Sequence, residues 1–229
     1  KQAFEKSHGS FDITMGAVVQ LWRNVRKTKQ FPEKETVQSV LKLTGFQKLI
    51  IDTVHHKLLL PVKGMQLDAG GIAKGWIAQQ IINFLKTEQV DHALVDAGGD
   101  IVMSNAPSGS NGWAIGVNVP ETGDELLPGT LQLQNKAVAT SGDVYRYIEK
   151  DGKKYSHITD PRTGYGVTSQ RNVTVIAGDG ATADWLATAC SILSIKKAKS
   201  LAVRNGADVL IGVLKKDKLV FYSTKGFKR

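Results

Sequence analysis

The sequence predicts an α+β fold with mixed, largely antiparallel sheets and packed helices. Strand-rich blocks are interrupted by a few helical stretches, and hairpin signals join neighbouring strands. No repeat, coiled-coil heptad or low-complexity linker breaks the chain of 229 residues, and 41% hydrophobic with 22% charged residues is ordinary for a globular protein.

Along the chain, Ile13 to Val25 is apolar at helical spacing, and Glu35 to Leu43 begins a second short helix before Gly45. Leu49 to Val54 and Lys57 to Val62 read as strands with His55-His56 at the hairpin tip. Met65-Gln66-Leu67-Asp68 reads as a strand closed by an acidic residue. A Gly70-Gly71 turn follows, and then a helix from about Ile72 to Lys86. Its Ile72, Trp76, Ile77, Ile81, Phe84 and Leu85 form one apolar stripe.

Ala93 to Asp96 and Ile101 to Ser104 are predicted strands around Gly98-Gly99, and Asn105 to Gly112 is a loop. Trp113 to Val119 and Thr130 to Leu133 are further strands, followed by a β-rich block from Ala137 to Ile158 with an Asp151-Gly152 hairpin turn. Val173 to Ala177 is a buried strand. Helices are predicted over Ala181 to Leu193 and Lys196 to Asn205, the latter ending at Gly206. Val209 to Leu214 and Leu219 to Tyr222 close the chain as a hairpin.

The formal charge of +9, with a pI near 9.5, favours anionic partners. Scattered solubilising lysines account for it equally well. Lys196, Lys197 and Lys199 lie at helical spacing without interleaved aromatics, which reads as a solvated helix face rather than a nucleic-acid stripe. The single cysteine, Cys190, rules out an internal disulfide or a thiolate cluster and reads as a buried, inert thiol. No apolar run has the length of a membrane span. The chain opens on Lys1, which reads as a processed or trimmed product, with room in the lost segment for an export signal or a lipid anchor.

Three constellations carry candidate chemistry. In Leu67-Asp68-Ala69-Gly70-Gly71-Ile72-Ala73-Lys74-Gly75, glycines allow a backbone to approach a ligand, a helix start offers free amides to an anion, and Lys74 can reach a phosphate. The alternative is a helix start with packing glycines. In Ser156-His157-Ile158-Thr159-Asp160-Pro161-Arg162-Thr163-Gly164, a punctuated turn holds an imidazole, a carboxylate and a guanidinium. His157 is the natural general base there, and Asp160 either joins it or caps the turn. In Ala181 to Ala189, Asp184 and Thr188 share a helix face and can hold a hard cation through oxygen. The alternative is a dipole-favoured surface acid beside a back-bonded threonine. Asp96-Ala97-Gly98-Gly99-Asp100 and Thr140-Ser141-Gly142-Asp143 are weaker sites, each equally an ordinary turn.

In this order the segments resemble the ApbE family, the FAD:protein FMN transferases. The stretches that carry the resemblance are Gly9 to Gly16, Leu67 to Gly75, Ala93 to Ile101, Ala139 to Tyr147, Ser156 to Gly164 and Ala181 to Thr188. The resemblance implies one ApbE-like (T-fold-like) flavin transferase domain over 1–229, without the family's N-terminal segment, since eight residues precede Gly9. Absence of that segment is expected to weaken FAD binding. By position, Asp68, Lys74 and Ile158 are implied to contact FAD. The Gly71 carbonyl, Asp184 and Thr188 are implied to hold Mg2+, and His157 to activate the acceptor hydroxyl.

The implied reaction is magnesium-dependent transfer of FMN from FAD to a Ser or Thr hydroxyl, releasing AMP. The implied acceptors are flavoprotein subunits of redox-driven membrane pumps. The implied setting is the periplasmic or extracytoplasmic face of the inner membrane, with a lipoprotein precursor. A magnesium-dependent FAD pyrophosphatase and a non-catalytic flavin-binding factor are the competing readings.

Overall fold

The computed structural model describes residues 1–117, 130–142, 147–215 and 218–227. The residues cluster into two compact units. One comprises Lys1–Ala69 and Arg146–Thr168, the other Gly70–Tyr145 and Ser169–Arg229.

The first unit starts with helices α1 (Gln2–Lys6), α2 (Gly16–Thr28) and α3 (Lys34–Leu41). A two-stranded sheet follows, β1 (Ile50–Asp52) with β2 (Lys57–Leu59), in register Asp52↔Lys57. The His55-His56 tip is therefore where the sequence places it. Helix α2 buries Val18, Trp22 and Val25 at helical spacing, joined by Met15 and flanked by Phe31, Val40, Ile148 and Tyr165. Asp12 organises the entry to α2: its Oδ1 accepts from Thr14 N–H and Oγ1–H, and its Oδ2 from Phe46 N–H. Met65–Asp68 is not a strand. Only an isolated bridge joins Gln66 to Met15, because the segment runs beside the α2 entry, where Asp68 N–H donates to Ile13 O at 2.7 Å.

The second unit is built on a six-stranded sheet. In chain order its strands are β3 (Leu94–Asp96), β4 (Ile101–Met103), β7 (Lys136–Gly142), β10 (Arg171–Ala177), β11 (Asp208–Lys215) and β12 (Lys218–Ser223). Across the sheet the order is β12-β11-β10-β7-β4-β3, and every neighbouring pair is antiparallel. A separate hairpin pairs β5 (Trp113–Ile115) with β6 (Leu131–Leu133). In the first unit, β8 (Tyr147–Lys150) and β9 (Lys153–Ser156) pair across Asp151 and Gly152, both at positive φ as a tight hairpin turn requires. Residues 118–119 of the predicted strand from Trp113, and 143–146 of the predicted β-rich block, lie outside the described residues.

Alternation sorts the sheet into two faces. Val138, Ile176 and Leu210 join Met103, Ile115, Leu131 and Phe227 in one core cluster. Their neighbours Ala137, Ala139, Val173, Val175, Val209 and Ile211 are buried on the other face. Helix α5 (Gly180–Ile192) lies over β7 and β10, and the small Ala137 and Ala139 let it approach closely. Beside it are α4 (Ala73–Thr87) and α6 (Ile195–Arg204). The lysines at 196 and 197 are solvated, as their spacing predicts.

Helix α4 does not pack through the apolar stripe seen in the sequence. It buries Gly75, Ala78 and Ile82, while Trp76, Ile77, Ile81 and Phe84 are exposed. The small face wins because α4 and α5 meet at glycine distance. A Cβ on Gly75 would lie 2.0 Å from Gly180 O, and one on Gly180 would lie 2.1 Å from Gly75 O. No helix among the described residues is long and apolar enough to cross a membrane.

Candidate functional site

The close approach of α4 and α5 creates the principal site of the second unit. Helix α4 has no side-chain cap of its own at Ile72. Its third amide, Gly75 N–H, instead donates to Asp184 Oδ2 on α5 at 3.1 Å. Gly180 N–H, at the start of α5, donates to Gln79 Oε1 on α4 at 3.0 Å. Each helix thus satisfies an orphan donor of the other. The proper cap of α5 is Asp179, which accepts from Thr182 N–H at 2.8 Å, so Asp184 sits a full turn inside the helix. Asp184 is buried and not a surface acid.

Burial pushes the Asp184 carboxyl up to about 7, and the charge of the adjacent Asp100 adds to the effect; Gly75 N–H and the Lys74 ammonium pull the other way. Asp100 is itself buried and pairs with Lys74, Oδ2 to Nζ at 2.9 Å. Two buried carboxyls therefore meet one ammonium, a set whose net charge is −1 when both acids ionise. Thr188 follows Asp184 by one turn. Among the described residues its hydroxyl takes no hydrogen bond, whereas Ser191 Oγ donates back to Ala187 O. The back-bonded alternative for Thr188 is not realised.

This donor set fits a hard cation. An acid that retains its proton near neutrality because of burial and a like charge is one whose proton a divalent ion replaces with advantage. Among the described residues no three His, Cys, Asp or Glu side chains group together as a metal cluster. A cation here would rest on the Asp184 carboxylate, the Thr188 hydroxyl and the Gly71 carbonyl, which lies in the turn leading into α4. The remaining ligands would come from substrate oxygens and water.

The first unit holds the other candidates. The Asp68 carboxylate accepts from Arg23 Nη2 at 3.0 Å, a partner on α2 that sequence reading missed. The Ser156–Gly166 segment is tied down at many points. Ser156 N–H donates to Val167 O, Val167 N–H to Ile158 O, and Ile158 N–H to Ser156 Oγ. Ile158 is buried, and His157 stands half-buried between these anchored neighbours. Asp160 is a turn cap. Its Oδ1 accepts from Arg162 N–H at 2.9 Å, and its two oxygens take Arg162 Nε at 2.8 Å and Nη2 at 2.6 Å. The same pairing raises the Arg162 guanidinium above its ordinary value. Gly164 closes the turn at φ 73°, and its carbonyl accepts from Trp22 Nε1 at 2.7 Å.

The site residues read from the sequence are thus divided. Gly71, Lys74, Asp184 and Thr188 belong to the second unit, and Asp68, His157 and Ile158 to the first. Asp100 was visible only as part of a glycine turn. Its link to Lys74 depends on a contact that spacing does not encode.

The chain matches the ApbE family over residues 1–211. It belongs to that family. Among curated relatives it is similar to the FAD:protein FMN transferase of Klebsiella pneumoniae (strain 342), with 34% identity over 201 residues that cover 87% of this chain and 61% of the relative. It is also similar to the FAD:protein FMN transferase of Treponema pallidum (strain Nichols), with 32% identity over 211 residues that cover 86% of this chain and 58% of the relative. The chain therefore spans about three fifths of the length of these ApbE proteins. The apo crystal structure of the Pseudomonas stutzeri flavinyl transferase ApbE superposes with a TM-score of 0.85 at 32% identity, covering 99% of this chain and 70% of the other. The ApbE architecture expected from the sequence is the one observed.

Proposed function

We propose that this chain carries the activity for which its ApbE relatives are named, transfer of FMN from FAD to a protein. The proposed acceptor group is a Ser or Thr hydroxyl. Its oxygen bonds to the FMN phosphorus, the bridging P–O bond breaks, and AMP leaves with the bridging oxygen. The observation that carries this reading is the buried Asp184 carboxyl at the start of α4, with the Lys74–Asp100 pair beside it. Such a place suits a diphosphate and a hard cation together.

The proposed holders of Mg2+ are Asp184, Thr188 and the Gly71 carbonyl. The chemistry magnesium supplies when bound is neutralisation of charge on the diphosphate as the bridging oxygen departs. Lys74, ion-paired with Asp100, is assigned to offer its ammonium donors to phosphate oxygens. Asp68 and Ile158 are assigned to FAD contact. His157 is assigned to take the proton from the acceptor hydroxyl. The acceptors proposed are flavoprotein subunits of redox-driven membrane pumps. The proposed setting is the periplasmic or extracytoplasmic face of the inner membrane, with a lipoprotein precursor.

The test is incubation with FAD, magnesium and a purified acceptor flavoprotein, followed by in-gel fluorescence and peptide mass spectrometry. Covalent FMN on a Ser or Thr together with free AMP supports the reading. Free FMN and AMP without labelled acceptor make the protein a pyrophosphatase. Tight FAD binding without turnover makes it a flavin-binding factor. Asp184→Ala is expected to abolish magnesium-dependent turnover. His157→Ala is expected to spare FAD binding and slow transfer.

A further inference from the structure

The turn between β3 and β4 ends in a charged side chain with no obvious reason to be buried. Asp100 follows Gly98 and Gly99, at φ 69° and 93°, where a Cβ would meet nothing within 4 Å. The positive φ values are the requirement here, and packing is not. Two hydrogen bonds fix the turn: Ala97 N–H to Asp100 O at 2.9 Å and Gly99 N–H to Asp96 Oδ1 at 2.6 Å. The backbone of residue 100 is therefore held in place, and its side chain points inward with 3% exposure. Burying a carboxylate is expensive unless it is paired, and the pair it makes is with Lys74.

Lys74 is different. It sits in the first turn of α4, close to the helix's positive end, where a lysine is electrostatically out of place. Its side chain is 46% exposed, so a surface lysine would be free to sample many rotamers. The ion pair at 2.9 Å draws its ammonium toward the β3–β4 turn. Asp100 also faces the Asp184 carboxyl, whose proton it helps to retain.

The geometry points to Asp100 as a positioning residue: its charge holds the Lys74 ammonium where it can meet the diphosphate of a flavin dinucleotide. This deepens the proposed function and rests on it for the identity of the ligand. Asp100 touches no substrate on this assignment and acts through Lys74. The β3–β4 glycine turn, otherwise a plain connection, is then part of the binding apparatus.

The test has two arms, both on the full chain. In the first, ligand-free protein is treated with trace acetic anhydride, and labelling at Lys74 is compared by mass spectrometry with that at Lys86 on the same helix. Lys74 should react severalfold more slowly than Lys86 in the wild type and at a similar rate in Asp100→Asn, which keeps shape and removes charge. An unchanged Lys74 rate overturns the pin.

In the second arm, FAD affinity with saturating magnesium is measured by flavin fluorescence in a double-mutant cycle with Lys74→Gln. Asp100→Asn should weaken binding about tenfold alone and less than about twofold in the Lys74→Gln background, as expected when one residue acts through the other. Equal losses in both backgrounds overturn the inference, since Asp100 then acts independently of Lys74, through its neighbour Asp184 or the fold. Asp100→Ser, with melting temperature recorded alongside, serves if the asparagine variant folds poorly. If the wild type binds no FAD at all, the ligand assigned under the proposed function is refuted, while the labelling arm still decides the pin.

Discussion

Asp184 caps a helix to which it does not belong: its Oδ2 accepts the Gly75 amide of α4 at 3.1 Å from within α5. The partner contact, Gly180 N–H on Gln79 Oε1, runs in the opposite sense. Both bonds require the two backbones to meet without side chains between them.

Gly75→Ala is therefore expected to destabilise the protein. Alanine would add about 1 kcal/mol of helix propensity. Its Cβ would stand 2.0 Å from a backbone oxygen that cannot rotate away, which forces the helices apart. Overpacking costs of roughly 3 kcal/mol or more outweigh the propensity gain. Urea unfolding monitored by circular dichroism measures the difference, and a variant as stable as the wild type would contradict the observed spacing.

The Asp184 carboxyl, pushed up to about 7, predicts the pH dependence of the metal-free protein. An unfolded aspartate ionises near 4, so between about pH 4 and 7 the folded state binds more protons than the unfolded state. Stability then falls as pH rises through that window. The melting temperature in EDTA should be lower at pH 7.5 than at pH 5.5 by on the order of 5 °C, and Asp184→Asn should flatten the slope. Identical slopes in the two proteins would remove Asp184 as the source.

Trp22→Phe tests the turn that carries the imidazole. Trp22 is buried among Phe31, Tyr155 and Tyr165, and its Nε1–H is bonded to Gly164 O. Phenylalanine leaves that carbonyl unpaired and a gap beside it, a loss of about 2–4 kcal/mol. Amide exchange at Gly164, whose N–H donates to Asp160 O, should accelerate more than exchange in β10.

Cys190 is fully buried, and desolvation pushes its thiol up to about 12 despite the nearby Arg171. At pH 8 the native protein should give no reaction with a disulfide reagent, and one thiol should appear on denaturation. Because the folded thiol ionises later than an unfolded one, stability should also decline as pH rises above about 9.

Much of this was legible in the sequence because it is local. Hairpin turns at His55-His56, Gly98-Gly99 and Asp151-Gly152 announce themselves by residue type, and α5 by its helix formers from Ala181 to Leu193. Faces were harder. Trp76, Ile77, Ile81 and Phe84 give α4 the periodicity of a packed helix, yet its buried side is the one carrying Gly75 and Ala78. Gly75, a poor helix former inside the predicted α4, was the available signal of a close approach. The Lys74–Asp100 and Arg23–Asp68 pairs join residues 26 and 45 apart, and no spacing rule reaches that far. Asp160 illustrates the reverse. A residue that reads as a possible acid–base partner has both oxygens engaged by Arg162, two positions away.

The backbone on either side of residue 157 is stitched to Val167, and Thr159 is bridged to Gly166, whose missing Cβ admits Ser156 O. The backbone that carries the imidazole is therefore anchored on both sides. Whatever meets the ring of residue 157 must come to a part of the chain that holds its place, so the approach of the partner, and not the motion of this loop, sets the encounter.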